Sequence, residues 1–131
     1  MSHVPPAKEP SIEYGILRAL EEDVADIDPG IMLELVDIFL DDSSDHLDAI
    51  EGALKEGNYR KIEISAHSLK SSSATFGALI FSDLCKRMEM CARTEQPECI
   101  AEMLDATRRE FTDVKAILSE QRTKWSEATA E

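Results

Sequence analysis

Apolar residues recur at helical spacing along almost the whole chain. Ile12, Ile16, Leu17 and Leu20 share one side of a segment running to about Asp23, with Ser11 placed to cap it. Asp28-Pro29 is a start signal, an acid at the N-cap followed by proline at the first helical position. From there Ile31, Leu35, Ile38, Phe39, Leu47, Ile50 and Leu54 recur until Gly57 stops the run. Asp42 and His46 sit where that stripe would continue. The pattern therefore allows one long helix with a weaker middle, or two helices broken near Ser43-Ser44.

A third helix begins at Asn58 or Tyr59 and closes near Gly77. Its buried stripe is Ile62, Ala66, Leu69, Ser73 and Phe76, spaced 4, 3, 4 and 3. Ala78 to about Arg93 predicts a fourth, with Ile80, Phe81, Leu84, Met88 and Cys91 inward. Pro97 opens a fifth, striped by Ile100, Met103, Leu104, Phe111, Val114 and Leu118. There is no strand alternation and no repeat. Four substantial amphipathic helices joined by short loops imply an all-α fold, an antiparallel four-helix bundle with an additional short N-terminal helix. The bundle is expected over residues 11–124, after a flexible lead at 1–10 that holds three prolines and before a frayed tail at 125–131.

Composition narrows the function. At 131 residues the chain is one domain's worth of sequence, and its net charge is −13. That charge argues against nucleic acid and against an anionic membrane surface, since little would neutralise phosphates. No apolar run approaches the ~20 residues of a membrane span, and no secretory signal opens the chain. Three cysteines without framework spacing fit a reducing, cytoplasmic location better than a disulfide scaffold. The expected partner is another protein. Asp41, Asp42, Asp45 and Asp48 lack the loop glycine and spaced oxygens of a calcium site and read as a solvated acidic face. His46 is given no role.

The chemistry concentrates in Ala66–Ala78. At about 100° per residue, His67 points roughly 140° from the middle of the third helix's stripe, into water. Ile64, Ser71 and Ala74 share its face, with Lys70 and Glu63 at the flank. One imidazole thus stands among small side chains with an ammonium one turn away. Ser71, Ser72, Ser73 and Ala74 are unusual on a merely solvated helix and suit the close approach of another surface. On the fourth helix, with Leu84 and Met88 inward, Glu89 lies by the same ~100° rule roughly 140° from the stripe, near Lys86 and Arg93. Taken alone, those three are a surface ion-pair ladder worth a few tenths of a kcal/mol.

His67, Ser68, Leu69, Lys70, Ser71 and Gly77 resemble the signature of the histidine-containing phosphotransfer (HPt) family: His, any residue, Leu or Ile, Lys, Gly, then Gly ten residues after the His. Ser71 stands where that family usually has Gly. Thr75-Phe76-Gly77 is similar to the version in chemotaxis kinases. The resemblance implies a helical bundle in which His67 is phosphorylated. It also implies a Glu or Gln twenty-two residues on, here Glu89, that hydrogen-bonds one ring nitrogen. Lys70, and secondarily Lys86 or Arg93, would offset phosphoryl charge.

The implied partners are response-regulator receiver domains and a sensor or hybrid histidine kinase. Phosphate would pass from a receiver phospho-aspartate to His67 and on to another receiver, or arrive from a kinase ATP-binding domain. No cofactor is expected on this chain, Mg²⁺ being supplied by the receiver, and no ATP site or metal ligand set is expected. Glu63, Ile64, Ser71 and Ala74, with exposed residues near the start of the second helix, are the expected docking positions. The competing reading is a helical adaptor in which His67 is incidental. A Glu-and-His metal bundle is disfavoured because Glu63 and His67 face outward, and a cysteine redox site because Cys85, Cys91 and Cys99 form no Cys-x-x-Cys pair.

Overall fold

The computed structural model describes residues 9–28 and 30–129. Five helices follow in order: α1 Tyr14–Val24, α2 Ile31–Glu56, α3 Tyr59–Thr75, α4 Leu79–Arg93 and α5 Pro97–Thr129. Consecutive long helices pack side by side and α5 closes the ring against α2, so α2 to α5 form an antiparallel four-helix bundle. The short α1 rests against α2 and α3. Among the described residues there is no strand, and no helix is long and apolar enough to cross a membrane. The expectations for residues 1–8, Pro29 and residues 130–131 lie outside the described residues.

Local signals explain most boundaries. The Asn58 side chain accepts a hydrogen bond from Lys61 N at 3.2 Å and starts α3. Gly57, at φ +69°, ends α2 in the left-handed conformation that glycine adopts without steric cost. Two starts differ from expectation. Ser11 is buried and does not cap α1, which begins after Glu13. Asp28 is not the N-cap of α2; its carboxylate accepts from Gly30 N at 2.9 Å in a turn, and the helix begins at Ile31. At the far end α5 is helical to Thr129, past Lys124, because Trp125 packs against the core.

The α3 stripe is buried as its spacing predicts: Ile62, Ala66, Leu69, Ser73 and Phe76 all face the core. α2 is one continuous helix, but its buried line is Met32, Val36, Phe39, Ser43, Leu47, Ile50 and Ala53. Ile38 is 57% exposed, and Ser43, not Asp42 or His46, continues the stripe. Ser43 is the weak middle: its hydroxyl is buried with no hydrogen-bond partner among the described residues.

The α3–α4 turn is fixed by a strap. Glu13 N donates to Gly77 O at 2.8 Å, and Ile12 inserts fully into the core beside it. Gly77 has φ +81°, and a Cβ there would lie 2.6 Å from Glu13 O. Only glycine meets both demands.

One expectation about cysteines fails. Cys91, near the end of α4, is disulfide-bonded to Cys99 in the first turn of α5, their Cα atoms 5.8 Å apart. The reversal between the two helices brings residues eight apart in sequence face to face. Cys85 is free and buried, and desolvation pushes its thiol pKa up to about 12, which leaves it unreactive.

Candidate functional site

His67 lies midway along α3 with its side chain 61% exposed, as the stripe requires. Its surroundings come from α4, which packs closely on α3. The contact is close because small residues line it: Ser65, Ala66 and Ser73 from α3, Cys85 and Ala92 from α4, all buried. Ser82 Oγ on α4 also donates to Lys70 O at 2.8 Å, joining the two helices beside the site.

Glu89 is not on the water-facing side of α4, as its assumed phase predicted. It is buried, its side chain only 7% exposed. The reason is that α4 turns Phe81, Cys85, Met88 and Ala92 to the core, while Ile80 and Leu84 are only half-buried. At about 100° per residue, Glu89 then falls at the edge of the stripe, in the seam with α3. There it meets His67: Nδ1 is 3.2 Å from Oε1 and 3.3 Å from Oε2. An ionised carboxylate can only accept, so Nδ1 carries the hydrogen. In the neutral ring Nε2 keeps the lone pair and is the nitrogen free to attack.

Two cations complete the carboxylate's shell. Lys70 Nζ is 3.1 Å from Oε2 and Arg93 Nη2 is 3.0 Å from Oε1. Burial opposes ionisation of Glu89, but hydrogen bonds from Lys70 and His67 and their positive charge together outweigh it. They hold its carboxyl below the ordinary carboxylate range. The charged form is thus the stable one in the folded protein.

The other expected residues divide. Arg93 also donates through Nε to Glu63 Oε1 at 3.2 Å, so Glu63 is tied back to the site. Ile64 is exposed and borders the cleft formed by Arg60, Glu63, His67, Ser68, Glu89 and Arg93. Ser71 is exposed and Ala74 half-buried. Lys86 is exposed and makes no ion pair among the described residues, so it is the one expected cation that stays outside the cluster. Ser73 belongs to the core, its hydroxyl returned to Leu69 O at 2.6 Å, so its small size serves helix packing within this chain.

A second groove was not foreseen in detail. It is open, about 260 Å³, and lies between α2 and α3, lined by Leu35, Ile38, Phe39, Asp42, His46, Ser68, Ser72 and Phe76. Phe39 and Phe76 stack at its floor with centroids 4.6 Å apart. The signal was present in the sequence: Ile38 and Phe39 are adjacent on one helix, so both cannot point to the centre of the core.

A family model described as the Hpt domain matches residues 34–118. Histidine-containing phosphotransfer protein 1 of rice (Oryza sativa subsp. japonica) is 28% identical over 106 residues, covering 79% of this chain and 69% of that protein. The crystal structure of histidine-containing phosphotransfer protein B from Pseudomonas aeruginosa has a TM-score of 0.81 and 27% identity. It covers 89% of this chain and 98% of that one. A histidine-containing phosphotransfer protein from maize has a TM-score of 0.79 over 91% of this chain and 87% of its own, and at 20% identity it bears on the fold alone.

Proposed function

Because this chain belongs to the Hpt domain family, we propose that it is a phosphorelay carrier whose phosphorylated residue is His67. The observation that carries the reading is the exposed imidazole whose Nδ1 is held by the buried carboxylate of Glu89. Nε2 attacks in line the phosphoryl group of a receiver phospho-aspartate. A bond forms from Nε2 to phosphorus as the bond from phosphorus to the aspartate oxygen breaks, and the aspartate leaves as a carboxylate. The ring becomes cationic at this point, and Glu89 stabilises that charge across the Nδ1–H bond. Reversal onto a second receiver discharges the carrier.

Lys70 rests on Glu89 in the unphosphorylated chain. Its stem is long enough to turn the ammonium toward phosphoryl oxygens on His67, and Arg93 then keeps the carboxylate paired. Mg²⁺ comes with the receiver. The chain is a phosphotransfer intermediate and draws no phosphate from ATP by itself. Docking covers Ile64, Ser71 and Ala74 together with the α2–α3 groove, where Ile38 is exposed and Leu35 half-buried.

The test is to mix the protein with a phosphorylated receiver domain and follow acid-labile, base-stable label. Label on the wild type and none on His67→Gln is the expected result. Label retained in His67→Gln returns the protein to the adaptor reading.

A further inference from the structure

The groove between α2 and α3 has an apolar floor of Leu35, Ile38, Phe39 and Phe76, with Ser68 and Ser72 along its α3 edge and Asp42 and His46 along its α2 edge. Asp42 is the single acid among the described residues that line it. Ile38, Asp42 and Asp45 are spaced four and three apart and form one exposed stripe along its outer rim.

α2 is rich in acids, eight against one lysine between Ile31 and Glu56. Three of these eight are matched from α5: Asp37 by Arg122 at 2.7 Å, and Asp48 and Glu51 by Arg108 at 3.1 and 3.6 Å. Asp42 and Asp45 form no ion pair among the described residues. Across the groove α3 offers only Ser68 and Ser72. So an apolar trough lies beside carboxylates that this chain leaves uncompensated.

The cleft on the other side of His67 is richer in cations: Arg60 and Arg93 line it with Glu63 and Glu89, and Lys70 adds a third cation against those two acids. Ser68 borders both the His67 cleft and the groove, so the two surfaces are continuous. A partner that covers one meets the other.

Resting on the carrier function above, we propose that Asp42 and Asp45 determine which receiver domains this chain accepts. The matching receiver presents an apolar side chain that enters the groove against Phe39 and Phe76, and beside it a Lys or Arg that pairs with Asp42. The same receiver's acidic phosphorylation pocket faces the α3–α4 cations. Its contact surface is therefore bipolar, and a receiver acidic throughout that surface is rejected by like charge at Asp42.

The experiment uses Asp42→Lys, Asp45→Lys and, as a control, Glu102→Lys. Glu102 is exposed on α5, which lies diagonally across the bundle from α3, and its reversal makes the same change in net charge. The probe is a receiver domain that exchanges phosphate with the wild type, found by screening purified receivers. Melting curves check that each variant folds; both aspartates are exposed, and either one alone tests the proposal. Asp42→Lys is expected to raise the KM for the phosphorylated receiver about tenfold at low salt, with a smaller rise for Asp45→Lys. The difference shrinks at about 0.5 M salt, where exposed charges are screened. Unchanged KM in both variants overturns the proposal, and so does an equal rise in Glu102→Lys, which would mean net charge alone. Phosphoramidate loading of the wild type separates the two levels of failure. A chain labelled at His67 by phosphoramidate but discharged by no receiver overturns the carrier function and the footprint together. A chain that exchanges normally with receivers whatever the charge at position 42 overturns the footprint alone.

Discussion

Between α3 and α4 a single carboxylate, 7% exposed, gathers an imidazole, an ammonium and a guanidinium. Between α2 and α5 Arg122 grips Asp37 with two hydrogen bonds of 2.7 and 2.9 Å, yet both side chains remain over 40% exposed. The bonds are of similar length and the partners of similar type. What differs is water. The α2–α5 pair loses most of its Coulomb energy to solvent and screening. The buried carboxylate of Glu89 is costly to leave alone, so its three partners are held to it, and the imidazole is held with them. One pair of helices uses charge to fix the orientation of a ring; the other decorates a hydrophobic joint.

The largest effect should come from the turn that sets the α3–α4 pair in register. Gly77→Ala places a Cβ against Glu13 O and forces alanine into a left-handed backbone. Combining a left-handed penalty with overpacking, a loss of about 2–5 kcal/mol in unfolding free energy is expected from urea titration. A loss under 1 kcal/mol would show that the strap at Glu13 yields easily.

Next comes the seam itself. Glu89→Ala should slow receiver-to-His67 transfer by about 10- to 100-fold, the range when an imidazole loses the partner that orients it, and Glu89→Gln, whose amide oxygen can still accept from Nδ1–H, should slow it less. The carboxylate also has a pH signature. Glu89 is held below the ordinary carboxylate range, so its stabilising contribution is full above about pH 4.3 and is lost as pH falls through its lower folded value. The gap in urea midpoint between wild type and Glu89→Gln should therefore close on acidification. A gap that widens toward acid would contradict the paired carboxylate.

Smaller effects probe the α2 side. Ser43→Ala removes a buried hydroxyl with no hydrogen-bond partner among the described residues and should raise stability by about 1 kcal/mol. Asp37→Asn should give the smallest change, a slight fall in urea midpoint at low salt that vanishes at high salt. A salt-independent loss would place that pair in the same class as Glu89.

The buried face of α3 was legible because Ile62, Leu69 and Phe76 recur seven apart with Ala66 and Ser73 between them at 4, 3, 4, 3 spacing, and the phase of His67 follows from them; only the buried Ser65 lies outside that pattern. α4 was harder. Its core is built partly from Cys85 and Ala92, small residues with a weak hydrophobic signal, while Ile80 and Leu84 are only half-buried. The helix was therefore set about one position out of phase, and Glu89 was expected in water when it lies in the seam. The same trade of a small residue for a large one misplaced Ile38 and Ser43 in α2. The link from Glu63 through Arg93 to Glu89, and the Cys91–Cys99 bond, join residues on different helices and depend on how those helices meet. No periodicity within one helix records that.

The most direct measurement is imidazole ¹⁵N NMR on selectively labelled protein, before and after phosphorylation. The neutral His67 ring of the free protein should be the Nδ1–H tautomer, with phosphate appearing on Nε2. In Glu89→Ala the tautomer preference should relax toward Nε2–H. A free ring already in the Nε2–H form, or phosphate found on Nδ1, would contradict the account.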